Sequence, residues 1–363
     1  MRLKLEARAE PSRAMKYVSP LIAAALTFTA GFILFSVLGR NPWAAFHAFF
    51  VQPVDDLNGV AELLLKASPL VLCAVGLAVG FRASIWNIGA EGQLTAGAIA
   101  AGWLALAFPE TESVLLLPAM IVAGALGGMV WAAIPAFLRT RFNANEILTS
   151  LMLVYVAVLL LSYLVHGPLK DPQGFNFPQS REFHEAALFR GLIEGTRLNA
   201  SVFVAAAVVA VGWWFMTRSF SGYTMRVAGL ADSAARYAGF SATRTVWMGL
   251  AAGGAAAGLA GVGEVAGPIG QLLPSVSPGY GFAAIIVAFV GRLHPGGIVL
   301  AGLLMSLLYL GGESAQMTLN LPSAITGLFQ GMLLFFLLGA DVFINYRVRI
   351  AHPVRGSIAG AAA

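Results

Sequence analysis

Chemistry needs titratable or nucleophilic side chains at a workable spacing, and this sequence holds few. Its five histidines, His47, His166, His184, His294 and His352, show no ligand-like spacing. Its one cysteine, Cys73, has no intrachain partner, which excludes a disulfide framework and a cysteine-based metal site. No Gly-x-x-x-x-Gly-Lys-Ser/Thr run is present to cradle a nucleotide phosphate, and no Gly-x-Ser-x-Gly turn to present a nucleophile. The acids that stand among apolar residues are Glu91, Glu146 and Asp341. These residues do not offer covalent catalysis. What they offer is polar contact inside an apolar body.

The densest such contact is Ile85-Trp86-Asn87-Ile88-Gly89-Ala90-Glu91-Gly92-Gln93. On a helix Asn87, Glu91 and Thr95 share one face at a spacing of four, with Gly89, Gln93 and Gly97 beside them. A carboxylate near a helix start can be held by free backbone N–H groups and the positive end of the helix dipole. In lipid it costs roughly 2.5–3.5 kcal/mol, so it must face protein or a water-filled path. Three roles stay open for Asn87, Glu91, Gln93 and Thr95: stitching a helix entrance to its neighbours, touching a solute, or relaying an ion.

The second cluster lies between Thr217 and Arg244. Asp232 is a plausible N-cap, Ala234, Ala235 and Arg236 favour helix, and Gly239 is placed to end it. A helix of about two turns is unstable alone, so it must dock on its own bundle or on a partner. It displays Arg236 and Tyr237, with Arg226 upstream and Phe240 at its end. A mere helix–helix connection would need only about 2–8 residues, which favours partner docking.

The elements that carry these clusters are dictated by composition. Of 363 residues 58% are apolar and 11% charged, against about 25% charged in a soluble domain. A water-soluble surface cannot be built from this. Ten uncharged stretches of at least fifteen residues follow one another: 17–39, 67–81, 92–109, 113–138, 147–169, 198–217, 245–263, 265–291, 293–312 and 314–340. They lack the strict alternation of barrel strands, so the fold class expected is all-α, a polytopic bundle of about ten transmembrane helices. With the amino terminus inside, 16 of the 22 Lys and Arg fall on the cytoplasmic side, which places both termini there. The expected organisation is a cytoplasmic segment 1–16 and a single membrane domain 17–344. Its loops of note are 217–244 inside and 167–196 outside, and a cytoplasmic tail 345–363 follows. The net charge of +5 is scattered rather than patched, so nucleic acid is not an expected partner.

Between Gly263 and His294 the chain cannot be a plain rod. Gly267-Pro268, Gly270, Pro274, Pro278-Gly279 and Gly281 interrupt it. Broken backbone is tolerated at membrane depth only when buried in protein or lining a cavity, so a re-entrant piece before a span Gly281–Gly291 is expected. Glu264, at the outer end of the preceding helix, reads as a wet interfacial charge, and Asp341 as the partner of a base such as Arg347. The run Gly253-Gly254-Ala255-Ala256-Ala257-Gly258 implies close helix crossings.

Taken together, Trp86-Asn87-Ile88-Gly89-Ala90-Glu91-Gly92-Gln93, Arg226–Leu230 with Ala234–Phe240, and Gly258-Leu259-Ala260-Gly261 resemble the permease subunits of ribose- and nucleoside-type bacterial ABC importers. The resemblance covers nearly the whole chain. It implies a multi-pass subunit of the bacterial inner (plasma) membrane that is not itself an enzyme and binds no cofactor, ATP being bound by separate ATPase subunits or a two-halved ATPase. It also implies a second permease, a homologous heterodimer before a homodimer, and an extracytoplasmic solute-binding protein. By position, Asp232–Phe240, with Arg226, Asp232, Arg236, Tyr237 and Phe240, becomes the segment that couples to the ATPase. The form Asn-Ile-Gly-Ala-Glu-Gly-Gln resembles the nucleoside branch, so the expected solute is a small neutral one, a nucleoside with a purine nucleoside first, and a pentose or other simple sugar as the alternative. A secondary transporter is the rival, and it would need buried acids for an ion.

Overall fold

The computed structural model describes residues 2–8 and 12–351. Thirteen α-helices make up most of it: α1 Arg13–Val37, α2 Pro42–Phe46, α3 Leu57–Phe81, α4 Ala90–Ala107, α5 Leu116–Phe142, α6 Glu146–His166, α7 Ser201–Arg218, α8 Phe220–Leu230, α9 Asp232–Tyr237, α10 Ala242–Glu264, α11 Tyr280–Val290, α12 Pro295–Leu319 and α13 Ala324–Asn345. Side chains set many of the starts. Asp56 accepts from the Gly59 N–H at 2.7 Å, Asn145 from Ile147 at 2.9 Å, Ser219 from Gly222 at 2.9 Å and Ser241 from Arg244 at 3.2 Å. Asn143 and Asn320 end α5 and α12 in the left-handed region, and Gly239 follows α9 there.

The helical fold expected from composition is what forms, with one addition. β1 Arg2–Ala7 pairs antiparallel with β2 Tyr346–Ala351, Arg2 opposite Ala351 and Ala7 opposite Tyr346. Of the expected tail, residues 352–363 lie outside the described residues. The chain divides into two compact units, one of Met1–Ala45 with Ser323–Ala363 and one of Phe46–Pro322. In the first, Phe35 of α1 lies 5.6 Å from Phe329 of α13, ring centre to ring centre, and the Ser19 hydroxyl donates to Asp341 at 2.8 Å. The expected partner of Asp341, Arg347, instead pairs with Glu6 at 3.2 Å, because the ribbon carries it to β1.

The second unit is organised around α3. Its span is 83% buried, against 22% for α6 and for α7, which therefore turn most of their apolar surface outward. Cys73, in the middle of α3, is fully enclosed. Across α4, α5 and α10 glycine makes the crossings. A Cβ on Gly258 would stand 2.1 Å from the Gly124 carbonyl oxygen, one on Gly128 2.1 Å from that of Gly254, and one on Gly97 2.3 Å from the Gly258 Cα. Three backbones therefore touch where the small-residue run implied they would.

Among the described residues eight helices are long and apolar enough to cross a membrane: α1, α3, α5, α6, α7, α10, α12 and α13. The two other stretches behind the expectation of ten are different in kind. α4 opens with Glu91 and Gln93, and α11 has 11 residues, about 16 Å of helix against a hydrocarbon core of about 30 Å. Between α10 and α11 the chain makes one π-turn, Val265–Ile269, and then runs without helix to Gly279. The segment 167–196 covers this break. The Ser180, Phe183 and Phe189 N–H groups donate to the carbonyls of Leu272, Gly270 and Ala266 at 3.0, 2.8 and 2.8 Å, and the Leu272 N–H donates to the Ser180 hydroxyl at 2.9 Å. Buried in protein in this way, the broken backbone keeps its hydrogen bonds.

Candidate functional site

After α3 the chain turns at Ser84 (φ 58°) and runs extended to Gly89, the N-cap of α4. Asn87 therefore precedes the helix, and the face it was expected to share with Glu91 does not exist. It folds onto Gln93 instead. The Asn87 amide nitrogen donates to Gln93 Oε1 at 2.8 Å, the Gln93 amide nitrogen donates back to Asn87 Oδ1 at 3.0 Å, and that oxygen also takes the Gly89 N–H at 3.0 Å. Both side chains are 1% exposed. Gly253 of α10 leaves the room, since a Cβ there would stand 2.7 Å from the Asn87 side-chain nitrogen. The Ile88 N–H reaches the Ser150 hydroxyl of α6 at 3.1 Å, and the Thr95 hydroxyl donates to the Glu91 backbone carbonyl at 2.9 Å.

This amide pair knits the start of α4 to its neighbours. Asn87→Leu leaves the Gln93 amide and the Gly89 N–H buried without their partner, an expected loss of about 1–3 kcal/mol. Thermal unfolding of the purified protein in detergent measures it, and an unchanged midpoint would contradict the role.

Glu91 points elsewhere. Its carboxylate accepts the Gly281 N–H at 2.7 Å, while the Gly279 and Tyr280 N–H groups donate to the Ser277 hydroxyl at 3.1 and 2.9 Å. These donors open α11, whose N-cap Gly279 has φ 99°. The first turn of the half-length helix is thus closed by an acid from α4, with the helix dipole in its favour. Gly281 permits the approach, for its Cβ would fall 2.2 Å from the Glu91 backbone nitrogen.

The second cluster, between Thr217 and Arg244, holds two short helices, α8 and α9. Phe220 of α8 meets Phe240 edge-on with ring centres 6.1 Å apart, and Ala235 of α9 is buried. Asp232 is not the N-cap, which falls on Ala231; it lies in the first turn and pairs with Arg236 at 2.6 Å. Tyr237 is 96% exposed and Arg226 is exposed on α8. A cavity of about 330 Å³ under α9 is lined by Arg139, Asn143, Asp232 and Arg236 together with Ser84 and Ile85. Arg82, at the end of α3, is held below the ordinary guanidinium range first by burial and then by the charge of Arg226.

A third polar group was not anticipated. Glu62 of α3 binds Arg197 through two bonds of 2.8 Å, and Lys66, one turn on, pairs with Glu313 of α12 at 2.5 Å. The bond to Glu62 raises the Arg197 guanidinium further. Glu264 is 8% exposed rather than wet. The signal was there to be read: Lys66 and Glu313 each interrupt an otherwise uncharged apolar run, and opposite charges stranded in such runs are most cheaply paired with each other. Beyond Glu313 a cavity of about 530 Å³ is lined by Gln316, Met317, Asn320, Leu321 and Pro322.

Comparison with known proteins follows this geometry. Residues 59–338 match the family described as branched-chain amino acid transport system / permease component. The chain is 36% identical to the glucose ABC transporter permease protein TsgB13 of Haloferax volcanii, over 99% of this chain and 97% of that one. It is 29% identical to the guanosine ABC transporter permease protein NupP of Bacillus subtilis, over 87% and 91% of the two chains. It is also 29% identical to the nucleoside ABC transporter permease protein NupB of Lactococcus lactis, over 90% and 92%.

Proposed function

The chain belongs to the branched-chain amino acid transport system / permease component family, and from that membership we propose that it forms the path of an importer for a nucleoside, with a purine nucleoside first. It is a multi-pass permease subunit of the plasma membrane and a transport protein rather than an enzyme. Such permeases work with an ATPase and a solute-binding protein. The finer assembly proposed is a heterodimer with a homologous permease, ATP being bound and hydrolysed on a separate chain and no cofactor on this one. Two relatives named for guanosine and nucleoside transport support the solute. The second reading, a simple sugar, is favoured by the relative named for glucose. Both are neutral and hydroxyl-rich, which suits a chain in which Glu62, Lys66, Arg197 and Glu313 are already paired.

The observation that carries the coupling is α9 itself: six residues anchored by buried Ala235, displaying Tyr237 almost free of contact. An exposed aromatic on a docked helix is the usual anchor of an interface. On this reading both termini belong in the cytoplasm. The positive charge on that side supports this, and so does the pairing of β1 with β2, which brings the two ends of the chain together.

Two measurements test the reading. In proteoliposomes holding the complete complex, labelled guanosine enters only with ATP, and excess unlabelled guanosine suppresses uptake where glucose does not; suppression by glucose alone transfers the assignment to sugar. Tyr237→Ala weakens capture of the ATPase by about tenfold or more while the permease still inserts. Undiminished capture would remove α9 from the interface.

A further inference from the structure

The end of α3 touches both α8 and the turn between α11 and α12. We propose that Arg82 is a positioning residue that hands movement of the α8–α9 pair to α11, an inference that rests on α9 being the ATPase contact.

The cytoplasmic half of this link is a contact without slack. A Cβ on Gly229 of α8 would stand 2.0 Å from the Arg82 carbonyl oxygen and 3.0 Å from the Ala83 Cα, and the Ser84 hydroxyl donates to the Gly229 carbonyl at 3.2 Å. α8 therefore cannot shift toward the membrane without displacing residues 82–84. The other half is directional. The Arg82 Nε donates to the Leu293 carbonyl at 2.9 Å, across 211 residues of sequence.

Leu293 lies in the turn between α11 and α12, and that turn is strained. Arg292 and Leu293 both adopt left-handed backbone, at φ 58° and 53°. Two consecutive residues other than glycine hold such a conformation only where their surroundings impose it. The bond from Arg82 is one of the constraints. At its far end α11 is held by Glu91 through the Gly281 N–H. A helix of 11 residues gripped at both ends by side chains from other elements moves as one body when either grip moves. Arg82 pulls at the cytoplasmic end, and the Glu91 contact is the pivot. The guanidinium suits the task because its donors are fixed in a plane, so a displaced Arg82 carries its acceptor along.

The experiment uses the complete complex in proteoliposomes and reads ATP hydrolysis and solute uptake side by side. Arg82→Met keeps the apolar stem and removes the donor. The complex assembles and hydrolyses ATP, and uptake per ATP falls about fivefold or more. Arg82→Lys restores part of the ratio, because an ammonium can donate to the same carbonyl. A ratio unchanged in Arg82→Met overturns the proposal, and so does a parallel loss of hydrolysis and uptake, which is what a merely structural residue would give. If Arg82→Met does not assemble, Gly229→Ala decides, since it disturbs the same joint from α8; a lowered ratio supports the relay, an unchanged ratio overturns it. Failure of both variants to assemble assigns Arg82 to folding and overturns it as well. A wild-type complex with no ATP-dependent uptake would instead remove the permease reading beneath the relay.

Discussion

Gly258→Leu yields no folded protein. Already the Cβ of alanine at this position would stand 2.1 Å from the Gly124 carbonyl oxygen and 3.2 Å from the Gly128 Cα, and both neighbours are helix backbone that no rotamer change can move aside. Overpacking an ordinary core costs about 1–3 kcal/mol, because side chains there can yield. Here α4, α5 and α10 must separate together, and the contacts among them are the interior of the second unit. In a bilayer, where lipid is as apolar as leucine, close backbone approach is the main attraction between helices, so its loss is not offset by any gain in burial. Size-exclusion profiles and melting in detergent read the outcome: aggregate for Gly258→Leu, and wild-type behaviour for Gly331→Leu, where a Cβ meets nothing within 4 Å. A monodisperse Gly258→Leu protein with an unchanged melting point would show that the crossing is not needed.

Glu91→Leu inserts but transports poorly. The substitution strips the first turn of α11 of the acceptor for the Gly281 N–H. A hydrogen bond to a charged partner contributes about 1.5–3 kcal/mol, so its loss lowers the population of correctly seated α11 by about tenfold or more. ATP-driven uptake falls in proportion. Glu91→Gln retains an acceptor oxygen and falls less. In neither variant, nor in the wild type, does an imposed proton gradient drive uptake without ATP, because the carboxylate is occupied in holding a helix N–H group. Uptake that followed such a gradient in ATP-depleted vesicles would return Glu91 to the role of an ion relay and bring back the secondary-transporter reading.

What the sequence revealed and what it hid divide along one line, local against tertiary. The fold class followed from charge-free stretches alone, the α9 boundaries from Ala234, Ala235, Arg236 and Gly239, and the break before α11 from Pro268, Pro274 and Pro278, all of which act within a few residues of themselves. The close crossings were legible because a Gly-Ala run has few other uses in a membrane helix. The partners were not legible. Asn87 was assigned to a helix because spacing alone cannot say that Gln93 will fold back to meet it across a non-helical turn. Asp232 read as a cap, but an arginine four residues on competed for it inside the first turn. Glu264 reads as wet because nothing near it in sequence says that the folded unit closes over it. The Glu62–Arg197 and Lys66–Glu313 pairs join residues 135 and 247 apart. The Arg82 bond, at 211, is of the same kind, visible only once the chain is folded.

The enclosure of Cys73 within α3 has a practical consequence. With the sole native thiol walled off on every side, the chain is mute toward sulfhydryl reagents as it stands. A cysteine introduced at one chosen position, such as the α9 tip or the α11–α12 turn, becomes the one thiol that such reagents can reach. Dyes and spin probes can then report motion from that point without an engineered cysteine-free background.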